Sequence, residues 1–202
     1  MPHRHSAHSL VNRMYAAKGY TTATAPSDLP NPHRVTFVAT EQDVTVGTIT
    51  VGADGPAGLL VEEAFGDHVQ RLRDEGVALC EFSKFAIDSV ARSKKLLSSL
   101  MHAALIYARD VQGCHKVLIE VNPRHARFYE AVLGFKVLVQ ERHNARVNAP
   151  AVLMALDLEF ADRRVAEARA RGREHARRSF YQGGFSHEEA TGIANHLRRC
   201  SA

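Results

Sequence analysis

The feature that most constrains this chain is an apolar strand, a helix and a second apolar strand in close succession. Residues 77–88 read as a strand, with Leu79, Phe82, Phe85, Ala86 and Ile87 spread over both faces. A strand that is apolar on both faces is normally central and buried. Residues 93–110 carry Leu97, Leu100, Met101, Ala104 and Ala108 at helical spacing, and Gly113 closes that helix. Residues 116–121, Lys-Val-Leu-Ile-Glu-Val, form a second buried strand. Strand, helix and strand at this spacing predict a right-handed βαβ unit with parallel strands. The class is therefore α/β.

The flanking segments build the rest of the sheet. A short helix is expected over residues 8–18, followed by a loop from Thr21 to Pro32 with three prolines. Strands at 34–40 and 44–51 are joined by Glu41-Gln42-Asp43 as a hairpin turn. Residues 61–75 read as an amphipathic helix ending at Gly76. Pro123 can start a helix that runs to about Val132, with Gly134 as its terminator. Strands at 135–141 and 151–158 are expected to flank a loop at 142–150. Beyond Glu159 the pattern is helical and Arg-rich, breaks at Gly183-Gly184, and resumes near 187–199. This predicts a mixed central sheet with flanking helices over residues 1–158, and a basic helical extension over residues 159–202.

Composition sets the outer limits. The chain has 202 residues, enough for one ordinary domain and an appendage, and its 45% hydrophobic content excludes wholesale disorder. No apolar run approaches the roughly 20 residues a membrane-spanning helix needs, and the polar N-terminus lacks a signal-peptide core, so a cytoplasmic protein is expected. Cys80, Cys114 and Cys200 stand in no paired spacing, which points to neither a disulfide framework nor a zinc ribbon. His3, His5 and His8 have mixed spacing, and no metal site is expected from them. Cys80 reads as a small core residue, and Cys114 has no helper sequence nearby for nucleophilic work. The net charge is +4; after residue 158 nine Arg face six acidic residues, while the first 158 residues hold 17 basic and 16 acidic ones. A basic tail on a nearly neutral body favours an acidic partner but falls short of a nucleic-acid module.

In an open α/β sheet, ligands bind beyond the carboxyl ends of the parallel strands. After Ile87 the chain runs through Arg92, Ser93, Lys94 and Lys95 into the helix. This is either a phosphate site at a helix N-terminus or a solvated turn with Ser93 as N-cap. The first strand also carries Glu81, Ser83 and Lys84, and a buried charge must be paired or used. Glu81 fits a general base whose pKa burial would raise, or a structural ion pair with Lys84 or another cation. After Val121 the sequence is Asn122-Pro-Arg-His-Ala126-Arg-Phe128-Tyr129, then Gly134-Phe135.

That second segment resembles the end of the acyltransferase domain of the GNAT superfamily, in which Asn, Ala, Tyr and Gly-Phe occur in this order. The order of elements over residues 8–158 fits as well. The resemblance implies the GNAT (acyl-CoA N-acyltransferase) fold, with Tyr129 donating a proton to a departing thiolate. The alternative for Tyr129 is a core aromatic beside Phe128. Acetyl-coenzyme A enzymes of the superfamily carry a Gly-rich turn before the long helix, and Arg92-Ser93-Lys94-Lys95 has no glycine. Side chains would then hold a single phosphate, as on the phosphopantetheine arm of an acyl carrier protein.

Glu81-Phe82-Ser83-Lys84-Phe85 further resembles the Glu-x-x-Arg-Phe strand of N-acyl-homoserine lactone synthases, with Lys84 in place of Arg. Val121–Tyr129, Leu133-Gly134-Phe135, and Arg142 with Val147-Asn148-Ala-Pro-Ala-Val-Leu153 together resemble the FeeM-like N-acyl amino acid synthases. This implies transfer of a long-chain fatty acyl group from acyl carrier protein, or from acyl-coenzyme A, to the amino group of an amino acid, with a tyrosine-like acceptor. By the same resemblance, Glu81, Tyr129 and Asn122 are catalytic. Ser83, Phe85, Arg92, Ser93, Lys94 and Lys95 bind the donor, with a backbone N–H near residues 83–85 on the oxyanion. Lys84, Arg142 and Asn148 face the acceptor. No tightly bound cofactor is implied. Competing readings are an acetyl-coenzyme A-dependent N-acetyltransferase, a homoserine lactone synthase, and an inactive acyl-carrier or nucleic-acid binding module.

Overall fold

The computed structural model describes residues 9–11, 33–88, 94–170, 181 and 184–201. Six strands form a mixed sheet in the order β1-β2-β3-β4-β6-β5. β1 (Arg34–Glu41) and β2 (Val44–Ala53) are the expected hairpin. Gln42 and Asp43 both take positive φ, 48° and 62°. Such a two-residue turn follows the twist of the strands it joins.

α1 (Glu62–Asp74) matches the amphipathic helix read at 61–75. It starts with Glu62 and Glu63 and ends with Arg71 and Arg73, the polarity that the helix dipole favours. Its Phe65 and Val69 are fully buried against Leu79, Leu118 and Leu153 of the sheet. β3 (Leu79–Ile87), α2 (Lys94–Ile106) and β4 (Lys116–Val121) are the βαβ unit, and β3 and β4 are parallel. α2 runs on as a π-helical turn, Tyr107–Val111. On this second face the core joins Ile49, Phe82, Leu100, Ala104, Tyr107, Val117 and Met154. The sheet is thus covered on both sides, as a parallel pair requires.

α3 (Pro123–Phe128) begins at its proline and passes into a π-helical turn, Tyr129–Leu133. Gly134 ends it at φ 78°; a Cβ there would stand 2.4 Å from Phe160 Cε1. The loop expected at 142–150 is mostly strand. β5 (Lys136–Asn144) and β6 (Ala149–Asp157) meet through the four residues 145–148. Two facts explain the misreading. β5 is an edge strand, so Arg142 can reach Asp67 on α1 and His143 can stay exposed on the other face without leaving the ladder. Pro150 pairs with His143 but lies beyond the last β4–β6 rung, Val121↔Val152, where its missing N–H costs no bond to β4.

α4 (Leu158–Ala170) and α5 (His187–Ser201) follow. α4 buries Leu158, Ala161, Val165 and Ala168 in the same core as α2, and the Tyr181 hydroxyl donates to the Leu133 carbonyl. Of the helix expected at 8–18, residues 9–11 are helical, with Leu10 and Val11 buried against Ala86. The rest of it, the Thr21–Pro32 loop and the N-terminal histidines His3, His5 and His8 lie outside the described residues. Among the described residues no helix is long and apolar enough to cross a membrane.

Candidate active site

The parallel ladder is short. β3 and β4 share three rungs, Leu79↔Lys116, Cys80↔Val117 and Glu81↔Leu118. Beyond them β3 stays with β2 as far as Gly47↔Ile87, while β4 stays with β6 as far as Val121↔Val152. Residues 82–87 and 119–121 are therefore not paired with each other. A bulge in β3 accompanies the divergence: Thr50 faces Ser83 and Thr48 faces Ala86, so Lys84 and Phe85 together oppose Ile49. Lys84 takes φ 50° there. Bulges bend the strand and sharpen its twist. The result is a slot opening at the carboxyl ends of the parallel strands.

Glu81 sits at the last common rung and is 1% exposed. It belongs to a cross-strand row, Arg34 on β1, Gly52 on β2 and Glu81 on β3. Gly52 makes the row possible, because a Cβ there would stand 3.3 Å from both Glu81 Cγ and Oε1. With that space open, Arg34 Nη2 reaches across to 3.0 Å from Glu81 Oε1. The Val61 N–H donates to Oε2 at 3.1 Å. Burial lifts the Glu81 carboxyl above the ordinary carboxylate range, against the pull of Arg34, the Val61 N–H and Arg146.

A second carboxylate shares that face. Glu120 lies two residues past the last common rung, on the same side as Leu118. Burial pushes its pKa up to about 7; Arg146 and a side-chain hydrogen bond with Asn144 oppose this, while Glu81 and Glu63 add to it. Arg146 rises from the 145–148 turn, pairs with Glu120 through Nη2, and places Nε 3.4 Å from Glu63. Among the described residues Ser83 Oγ, Glu120 Oε1 and Arg146 Nη1 are buried without a hydrogen-bond partner.

Across the sheet, Phe85 and Tyr129 pack against the α2-side core. The Tyr129 ring stands edge-on to Phe135 at 5.9 Å and to Phe128 at 5.5 Å. Asn122 caps α3: its Oδ1 accepts from the Arg124 N–H at 3.2 Å, and its Nδ2 donates to the Pro150 carbonyl at 3.4 Å. Both polar ends thus fix the turn that leads into the Tyr129 helix.

The remaining predicted residues are dispersed. Arg142 forms a bidentate pair with Asp67 at 2.7 and 3.0 Å and donates to the Ala64 carbonyl, clamping β5 to α1. A contact with an acceptor would have to compete with that pair. Asn148 is an exposed turn residue at φ 48°. Arg92 and Ser93 lie outside the described residues, as does the side chain of Lys94. Lys95 is exposed in the first turn of α2. Cys80 and Cys114 are buried thiols, and Cys114 donates to the Leu79 carbonyl at 3.5 Å.

Sequence reasoning missed Arg34, Gly52, Glu120 and Arg146. Glu120 was within reach, because the rule that flagged Glu81, a charge inside a buried strand, applies equally to Lys-Val-Leu-Ile-Glu-Val. Arg34 and Arg146 carry no local signal. They join the site through strand register and a hairpin turn.

A mixed sheet that parts beyond a short parallel ladder, with helices on both faces, is the GNAT-like acyltransferase architecture. Solved structures share this fold. An acyl-CoA N-acyltransferase from Pseudomonas aeruginosa matches with a TM-score of 0.54 at 16% identity, over 75% of this chain and 87% of that one. Escherichia coli ElaA matches with a TM-score of 0.57 at 12% identity, over 78% of this chain and 91% of that one. The likeness to FeeM, an N-acyl amino acid synthase from uncultured soil microbes, is much stronger: 32% identity and a TM-score of 0.73, over 78% of this chain and 92% of that one. The family model for the N-acyl amino acid synthase FeeM matches residues 6–157, and the chain belongs to that family. No match is found among curated proteins.

Proposed function

We propose that this enzyme transfers a long-chain acyl group from the phosphopantetheine arm of an acyl carrier protein to the α-amino group of an amino acid, forming an amide. The observation that carries the reading is the slot between β3 and β4 with buried Glu81 at its apex. An extended, amide-bearing thioester arm fits between two strand edges that are not paired with each other, by the logic of strand addition. The thioester carbonyl then lies at the parting of the strands. Glu81, desolvated and raised in pKa, takes a proton from the attacking ammonium group on the α1 face, directly or through water. A backbone N–H in the 83–85 bulge stabilises the tetrahedral oxyanion. Tyr129, on the opposite face, protonates the departing thiolate. Asn122 positions that helix, and Arg92, Lys94 and Lys95 hold the phosphate of the arm.

The glycine-free turn at 92–95 supports acyl carrier protein over acetyl-coenzyme A as donor, and family membership supports an amino acid as acceptor. The test is turnover of purified protein with acyl-acyl carrier protein and with acetyl-coenzyme A, each offered a mixture of amino acids, with products read by mass spectrometry. An N-acyl amino acid formed far more efficiently from the carrier-bound donor is the expected result. Comparable specificity constants for the two donors would remove the carrier assignment, and absence of any acyl amino acid would remove the acceptor.

A further inference from the structure

Glu120 and Arg146 are bonded to each other through Oε2 and Nη2. Each keeps one further polar atom, Oε1 and Nη1, that is buried and meets no hydrogen-bond partner among the described residues. The Glu120 side chain is only 7% exposed. A buried polar atom left unmet is costly, and more so on a charged group, so two on one ion pair call for an occupant.

We propose that this pair seats the zwitterion of the acceptor, with the ammonium on Glu120 Oε1 and the carboxylate on Arg146 Nη1. The inference rests on the reading of the acceptor as an α-amino acid and adds the residues that select it. An α-amino acid carries both charges on one carbon. It can therefore lie head to tail on an ion pair whose own charges are adjacent. Local charge agrees at the ammonium end: Glu63, Glu81 and Glu120 face Arg34 and Arg146, so the ammonium meets an excess of carboxylate, while the zwitterion as a whole adds no net charge to the site. A simple carboxylic acid gains no such balance.

Position agrees as well. Glu120 stands two residues beyond the last β3–β4 rung, so an amine held there is at the slot, on the same face as Glu81. As the structure stands the two atoms are closed to solvent. Arg146 springs from the 145–148 turn rather than from the sheet, and its side chain is 22% exposed. Rotation of that side chain opens the seat without breaking a strand ladder.

The test compares tyrosine with tyramine, which lacks only the carboxylate, as acceptors from acyl-acyl carrier protein. The parent enzyme is expected to favour tyrosine. Arg146→Gln should raise KM for tyrosine at least about tenfold, the scale of losing one member of a buried charge contact. It should change KM for tyramine, which has no carboxylate to lose, much less than KM for tyrosine and so collapse the preference. Arg146→Lys, which keeps the charge and loses the fork, should give an intermediate preference and serves if the Gln variant fails to fold. A tyrosine-to-tyramine ratio unchanged in both variants overturns this inference while leaving the proposed reaction intact. A parent that prefers tyramine overturns the seat too. A parent that acylates neither compound, nor any member of a mixture of amino acids, overturns the proposed function and this inference with it.

Discussion

Replacing Glu120 by Gln tests the charge balance of the slot through stability rather than turnover. The carboxyl titrates at about 7 in the folded chain, chiefly because burial disfavours its charge, against a reference value of 4.5. Between those values the native state holds a proton that the unfolded state has released. Stability therefore falls as pH rises from about 4.5 through about 7, and the contribution of the protonated carboxyl is fully present only below that window. At about 1.36 kcal/mol per pH unit, the gap between 4.5 and about 7 is worth about 3 kcal/mol. Gln mimics the protonated acid and does not titrate. The variant should match the parent in acid and become progressively more stable than it, by about 2–3 kcal/mol at pH 8. Urea unfolding followed by circular dichroism at pH 5, 6, 7 and 8 reads the difference directly, because groups common to both proteins cancel. A constant gap across that range would refute the reasoning. A gap in the parent's favour that is already complete at pH 5 would mean that Arg146 outweighs burial, holding the carboxyl below its reference value.

Other expectations follow from the same structure. Glu81→Gln and Tyr129→Phe should each lower kcat more than they raise KM, with the Glu81→Gln loss partly rescued at high pH, where the free amine forms unaided; full activity of either variant at pH 7 would withdraw that residue's role. Gly134→Ala should lose about 2–4 kcal/mol, since positive φ adds about 1 to the cost of displacing Phe160, whereas Gly113→Ala, at φ 67° with nothing within 4 Å of the new Cβ, should lose only about 1; equal thermal shifts would discount the Phe160 contact. On α4 the exposed Arg163 and the half-buried Arg164 pair with Glu159 and Glu167. Their replacement by Ala, together with Arg171 and Arg178, should raise KM for acyl-acyl carrier protein at low ionic strength and leave kcat unchanged; a salt-independent KM, equal in parent and variant, would remove the docking role.

The elements were largely legible because their signals are local. Gly76, Gly113 and Gly134 each take positive φ where a helix ends, and Pro123 opens the next. The βαβ unit followed from apolar spacing alone. What was not legible depends on register. The parting of β3 from β4 rests on a bulge at Lys84 and on which neighbour each strand keeps. Likewise, Arg34 meets Glu81 only because Gly52 lies between them in the ladder. The polar run 142–150 concealed a hairpin because an edge strand tolerates outward charge. The packing of α4 against the sheet's core was not legible in its Arg-rich sequence, because its buried stripe, apart from Leu158 and Val165, is made of alanines.

The strand order has a consequence for how the protein is made. β4 takes three rungs from β3, which precedes it, and six from β6, which follows α3 and β5. A chain emerging from the ribosome with β6 still unsynthesised presents β4 with one bare edge and with β3 as the only neighbour yet made among its two sheet partners. β2 is already made and holds β3 through the Lys84 bulge, but residues 119–121 still lack the neighbour that holds them. The late, sequence-distant pairing with Val152–Asp157 supplies it, so the slot between β3 and β4 takes its final form when the last strand docks.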